Sequence, residues 1–354
     1  MTISADETVA KYAALRETYD QFRSRVESLL ADLVDKAKID YVQIESRTKT
    51  LESVRDKLAR KKMTHLDDAL QRMHDLVGVR IITYYAEDID EVAALISDAF
   101  DVDPENSANK QDALLSDQFG YLSAHFVGQL NDKRGRLPEW EAYAALTVEI
   151  QVRTALQHAW AAVSHKLAYK NAEEAPDQLG RRLYRLSALF ELADEQFSSI
   201  RDEASKIDSE YRENVGKGDF EIPLDVASLQ AYLESSRKVK NLRALKLRHE
   251  FDDNEIEKSR RELDFSDFLT ALKTYGMDTL ADVDEWLGSR SAIERASRAL
   301  RRAFPKETPV SASVEDWLTQ ILIILKDHSS KPGSWSYDDG TVATLAQVRD
   351  SLQT

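Results

Sequence analysis

The hexapeptide VEIQVR sets Glu149, Gln151 and Arg153 at alternate positions among Val148, Ile150 and Val152. Side chains on an extended strand alternate between faces, so a carboxylate, an amide and a guanidinium share one side. Such a side is either a solvated surface or the wall of a polar site. Asp75 heads the apolar run DLVGVRIITYY. A carboxylate at a strand end suits a hard cation such as Mg²⁺, and suits a helix cap or the surface equally well. Asp75 and Glu149 together, with a basic segment close in sequence, point to a nucleotide site.

That segment is RTKTLESVRDKLARKK, which holds seven Lys and Arg against Glu52 and Asp56. Arg47, Lys49, Arg55 and Lys57 bracket the passage from a strand into a helix, and Ser53 falls in the first turns of that helix. Polyphosphate is recognised by several donors and positive charge on one wall, and a cation held by carboxylates balances the other side. A solvated helix face accounts for the same charges. A third segment, FGYLSAH, alternates Tyr121, Ser123 and His125 onto one face. The tyrosine could stack on a base and the histidine reach a phosphate, or both could serve the core. In QHAWAAVSHKLAYK, His158 and His165 lie near one helix face without an acid placed to complete a metal set, and Trp160 reads as core. Lys166 and Lys170 either add charge to a phosphate site or face water.

The elements that must position these residues follow from periodicity. Residues 5–38 repeat apolar side chains at helical spacing, from Tyr12 to Leu33. IDYVQIESR alternates as a strand; SRTKTLESVRDKLARKKM leads into a helix with Leu51, Val54 and Leu58 on one face. DLVGVRIITYY, FGYLSAHFVGQL and LTVEIQVRT read as further strands, and residues 101–118 read as polar and irregular. The expected fold class is α+β: a compact mixed sheet flanked by helices, then a mostly helical C-terminal region. The expected domains are an N-terminal helix at 1–39 packing on the core, a sheet-bearing domain with a helical extension at 40–225, and a helical domain of unassigned role at 226–354.

With 48 Lys and Arg against 63 Asp and Glu, the formal charge of −15 argues against attachment to a polyanion by bulk charge. There is no run of eighteen apolar residues to span a membrane and no secretory pattern at the N-terminus. The absence of cysteine fits a reducing compartment, and a cytoplasmic protein is expected.

The blocks RTKTLESVRDKL, HDLVGVRIITYYAEDI, FGYLSAHF and VEIQVRTALQHAWAAVSHKLAYK together resemble the synthetase domain of the RelA/SpoT family, the alarmone synthetases. Four ordered blocks are far more specific than any one of them. The likeness spans residues 40–170 and, more loosely, the helical stretch to 225. It implies a nucleotidyltransferase-like fold and transfer of the β,γ-diphosphate of ATP to the ribose 3′-hydroxyl of GDP or GTP, with Mg²⁺. By similarity, Arg47, Lys49, Ser53 and Lys57 bind the ATP phosphates, and Asp75 holds the metal. Glu149 helps bind the metal or activates the 3′-hydroxyl. Tyr121, His125, Gln151 and Arg153 bind the acceptor.

Two departures qualify the acceptor. Lys110 is kept, but Asp117 stands where the family has a second lysine, and Phe119 replaces an asparagine. A carboxylate there repels a 5′-diphosphate, so relatives that modify the 3′ end of tRNA or act on adenosine nucleotides are an alternative. A catalytically silent nucleotide-binding module is another. Guanosine nucleotides stand first. Only about 40 residues precede the synthetase blocks, and His74–Asp75 lacks the companions of a hydrolase metal site, so a synthetase without hydrolase is expected. The apolar C-terminal helices leave a protein partner or self-association open.

Overall fold

The computed structural model describes residues 5–61, 69–109, 123–166, 177–242, 265–303, 314–325 and 339–353. They fall into two compact units, Met1–Arg201 and Asp202–Thr354.

The first unit opens with α1 (Ala5–Ala37), whose Tyr12, Phe22, Val26 and Leu30 recur on one face and are buried. Strand β1 (Tyr41–Thr48) leads through Thr50 into α2 (Leu51–Arg60). The Thr50 side chain accepts the Ser53 backbone N–H, fixing where the helix starts. Then come β2 (Val77–Thr83), α3 (Glu87–Ala99), β3 (Phe100–Val102) and β4 (Ala108–Asn109). After them follow β5 (Ala124–Leu130), the short α4 (Asp132–Gly135), β6 (Val148–Thr154), α5 (Ala155–Lys166) and α6 (Asp177–Lys217). The last of these runs past Arg201 into the residues of the second unit.

The strands form one mixed six-stranded sheet in the order β1-β2-β6-β5-β3, with β4 also paired to β5. Strands β2 and β6 run parallel and the other pairs are antiparallel. Val77, Val79 and Ile81 of β2 and Val148, Ile150 and Val152 of β6 are all buried in one cluster with the apolar face of α1. Each such side chain contributes roughly 1.5–3 kcal/mol by leaving water. The α+β architecture is therefore as the periodicity implied. In the stretch expected to be irregular, residues 101–109 differ from expectation, because β3 and β4 are strands too short for a period-two pattern to register, and residues 110–118 lie outside the described residues. Strand β3 can approach because β5 carries Gly128, where an added Cβ would lie 2.8 Å from the Asp101 carbonyl oxygen.

Helix α6 is fastened to its own unit by polar groups. Thr154 Oγ1 donates to Asp194 at 2.7 Å, and Ser198 Oγ donates to Glu87 at 2.6 Å. Arg201 bonds Asp88 at 2.7 Å and Glu87 at 3.2 Å and lies 4.4 Å from the centre of the Tyr85 ring.

The second unit is helical: α7 (Val226–Ser235), α8 (Phe265–Thr274), α9 (Leu280–Gly288), α10 (Arg290–Ala303), α11 (Val314–Leu325) and α12 (Asp339–Gln353). Capping boxes at Asp225/Ser228 and Thr279/Asp282 start α7 and α9. Tyr232, Phe268, Trp286, Trp317 and Ile321 share a separate core. Among the described residues no helix is long and apolar enough to cross a membrane.

Candidate active site on the polar face of the sheet

Two rows of facing positions build the site. In one, Arg47 of β1 stands beside Gly78 of β2, which stands beside Glu149 of β6. In the next, Glu45, Arg80, Gln151 and His125 follow one another across β1, β2, β6 and β5. Partnered positions share a face, so the alternation of VEIQVR joins a polar wall spanning four strands. Glu45, Arg47, Asp75, Arg80, Glu149 and Gln151 all line one cleft that opens to solvent.

Gly78 gives this wall its depth. Without a side chain there, Arg47 lies across the strand, its Cγ 3.9 Å and its Nε 4.0 Å from where a Cβ would stand.

Asp75 precedes β2 and is clamped by two lysines from the turn and helix after β1. Lys49 Nζ meets Oδ2 at 2.7 Å and Lys57 Nζ meets Oδ1 at 2.7 Å. Burial alone would raise the Asp75 pKa, but the hydrogen bonds and charges of the two lysines outweigh it and hold it below the ordinary aspartate value. The lysine position is itself braced. The Tyr12 hydroxyl donates to the Lys49 carbonyl at 2.7 Å, and the Lys49 N–H donates to the Leu76 carbonyl at 2.9 Å. Burial pushes the Tyr12 phenol up to about 12, so it remains a donor at neutral pH.

Glu149 has a different partner. Its Oε1 lies 3.3 Å from His125 Nδ1, and His125 Nε2 is 2.6 Å from Ser123 Oγ. The His125 hydrogen bond lowers the Glu149 pKa and prevails over burial and the nearby charge of Asp75, both of which raise it. Both carboxylates are therefore ionised at neutral pH.

Beside them stands a cluster of cations. Arg153 is buried; burial, then the charges of Arg80 and Arg47, pull its pKa down to about 10. It donates to Gln151 Oε1 at 3.3 Å, and Arg80 donates to Glu45 at 3.2 Å. The buried Nε atoms of Arg80 and Arg153 and the buried Nδ1 of His158 lack a hydrogen-bond partner among the described residues. Burial and the same two arginines lower the His158 pKa, keeping the ring neutral.

The sequence-predicted residues thus divide. Arg47, Asp75, Glu149 and Gln151 line the cleft; Lys49, Lys57, His125 and Arg153 each bond to one of those four or lie against them. Ser53 is exposed in the first turn of α2, its hydroxyl accepting from Thr50 Oγ1 at 2.8 Å, and is not on the cleft wall. Arg55 turns away to Asp6. Tyr121, Lys110, Asp117, Phe119 and Lys170 lie outside the described residues. Glu45, Gly78 and Arg80 were not anticipated, although an arginine and a glycine alternating with Val77, Val79 and Ile81 were a signal that β2 has a polar side.

The family model described as "Region found in RelA / SpoT proteins" matches residues 46–174, the span that supplies every cleft residue named above except Glu45. Residues 46–174 are thus similar to that region. Among curated relatives, the GTP pyrophosphokinase YjbM of Bacillus subtilis (strain 168) is 28% identical over 178 residues, 50% of this chain and 79% of the relative. The GTP pyrophosphokinase YwaC of the same organism is 28% identical over 160 residues, 45% of this chain and 72% of the relative. Among solved structures, small alarmone synthetase 1 from Bacillus subtilis bound to its product pppGpp aligns with a TM-score of 0.46 and 23% identity, covering 56% of this chain and 99% of that one.

Proposed function

We propose that this chain is an ATP-dependent nucleotide pyrophosphokinase that transfers the β,γ-diphosphate of ATP to the ribose 3′-hydroxyl of GDP or GTP. The observation that carries this reading is the convergence of two ionised carboxylates, Asp75 and Glu149, with Arg47 and Arg80 on one cleft, where Lys49 and Lys57 are paired to Asp75. The names of the two curated relatives support the same chemistry.

In the transfer, the acceptor 3′-oxygen forms a bond to the β-phosphorus of ATP. The bond from that phosphorus to the α–β bridging oxygen breaks, and AMP leaves with the electron pair. Such a reaction needs alignment and charge neutralisation more than covalent help. Arg47, Lys49 and Lys57 supply the positive wall. Asp75 is the standing counter-charge of the two lysines, and a polyphosphate offers their ammonium groups new anionic partners. Glu149 is acidic and therefore a poor store for the hydroxyl proton; it orients the attacking hydroxyl by accepting its hydrogen bond. His125 holds Glu149 in place, and the proton passes to solvent as AMP departs.

The donor set fits a hard divalent cation such as Mg²⁺, because both carboxylates are ionised and each retains lone pairs beyond its present hydrogen bonds. When bound, the cation neutralises charge developing on the phosphate oxygens. Asp75 and Glu149 would hold it.

The test is an acceptor screen: AMP formation from ATP and Mg²⁺ with GDP, GTP, ADP, ATP or tRNA offered in turn. AMP release dependent on GDP or GTP is expected. Release dependent only on tRNA or adenosine nucleotides would reassign the acceptor, and tight nucleotide binding without AMP would make the chain a silent binding module.

A further inference from the structure

Helix α1 carries two neighbouring stripes. Phe22 and Val26 are buried in the core that the helix shares with the sheet, and the residues that follow them, Arg23 and Glu27, are polar and half-buried. Arg23 and Glu27 are one turn apart and meet at 3.1 Å. A pair of this spacing is ordinarily a minor feature of a helix surface. This one takes a third member from another element. Arg23 Nη1 donates to Ser46 Oγ of β1 at 2.5 Å, and Ser46 Oγ donates to Glu27 Oε2 at 2.8 Å. The hydroxyl gives its one proton and accepts another, so the three side chains close a ring.

The ring grips β1 at a sensitive place. Glu45, Ser46 and Arg47 all border the cleft. Strand alternation sends the side chains of Glu45 and Arg47 to one face and that of Ser46 to the other. The partner of Ser46 across the strand pair is Val79, which is buried with α1. The Ser46 hydroxyl therefore faces away from any ligand in the cleft and acts only through the backbone. That backbone belongs to an edge strand, paired to β2 alone, and the register of the pair shifts between Tyr41 and Gln43. Arg47 is exposed, and its partner Gly78 offers no side chain to lean on. On β6, by contrast, Glu149 has a paired strand on both sides. Two anchors to α1 replace the missing neighbour of β1. The ring holds Ser46, one residue before Arg47, and the Tyr12 hydroxyl holds the Lys49 carbonyl, two residues after it. We propose that Arg23, Glu27 and Ser46 are positioning residues for ATP, which fix the edge strand so that the Arg47 guanidinium meets the nucleotide in register. This role rests on the reading of the cleft as an ATP site. It extends that site to α1, which lies outside the matched family region.

The test measures binding of ATP with Mg²⁺ to the full chain by titration calorimetry. No acceptor is present, so the result is independent of acceptor identity. Ser46→Ala should weaken binding by about three- to tenfold, short of the roughly hundredfold that a misplacement of about 1 Å can cost. Ser46→Thr keeps the hydroxyl and should bind like the parent. Glu27→Gln keeps the shape and loses the charge; it should weaken binding too, and it decides alone if Ser46→Ala fails to fold. In an Arg47→Ala background, Ser46→Ala should change binding by less than about twofold, because its effect passes through Arg47. A parent that binds ATP no better than Ser46→Ala and Glu27→Gln do, or a loss that persists in full without the Arg47 side chain, would overturn the positioning role and leave the proposed function standing. A parent that binds no ATP would overturn both.

Discussion

His125 Nδ1 lies 3.3 Å from Glu149 Oε1, across the antiparallel β5–β6 pair, and this contact is the main cause of the low Glu149 pKa. Removing the imidazole must raise that pKa, because burial and Asp75 push upward and only the smaller hydrogen bond from Gln151 still pulls it down. The acidic limb of the kcat/KM profile should therefore move to higher pH in His125→Gln than in the parent. A limb that stays put would separate Glu149 from the rate.

Glu149→Gln keeps the shape and the hydrogen-bonding reach of the side chain and removes its charge. Turnover should fall by about 10²–10³ if the carboxylate stabilises the transition state as other preorganised electrostatic groups do. The thermal melt should change little. Retained turnover would remove Glu149 from the chemistry.

Asp75 connects catalysis to stability. Its folded pKa is depressed, so its contribution is complete above the unfolded value and is lost as pH falls through the folded value. Asp75→Asn leaves Lys49 and Lys57 facing each other without a counter-charge and should cost about 1–3 kcal/mol at neutral pH. The gap from the parent, followed by denaturant unfolding, should close as pH drops below about 4. A gap independent of pH would contradict the clamp.

Two glycines should respond oppositely to one methyl group. At Gly128 the added Cβ meets the Asp101 carbonyl at 2.8 Å, so Gly128→Ala should destabilise by about 1–3 kcal/mol. At Gly78 the nearest atoms are Arg47 Cγ at 3.9 Å and Arg47 Nε at 4.0 Å, an ordinary contact. Gly78→Ala should melt like the parent, yet raise the KM for ATP by disturbing the bed of Arg47. Paired melting curves and kinetics check both.

Tyr12 lies outside the matched family region but donates to the Lys49 carbonyl. Tyr12→Phe should cost about 1 kcal/mol and lower kcat through the loosened lysine, with Lys49→Arg at the same site affecting ATP binding more. An unchanged kcat would confine Tyr12 to the core.

Period-two alternation made much of the site legible. Glu149, Gln151 and Arg153 share a face because β6 is paired on both sides, with β2 and β5, and the apolar residues Val148, Ile150 and Val152 fix that register. The Asp75 clamp was harder to read, because its lysines arrive from the turn and helix after a different strand, and no local pattern records that meeting. Arg80 was hidden for a related reason: in an apolar run one arginine reads as noise until its neighbours Glu45 and Gln151 are known. Strands β3 and β4 were missed because two or three residues carry no period.

The most direct measurement is the structure of the product. ATP labelled at its β- or γ-phosphate is incubated with Mg²⁺, GDP or GTP and the full chain, and the labelled product is located by phosphorus NMR. A diphosphate on the ribose 3′-oxygen, formed with one AMP per transfer and lost in Glu149→Gln and Asp75→Asn, is the expected result. Release of inorganic phosphate or pyrophosphate alone, or product unaffected by those two substitutions, would contradict the account.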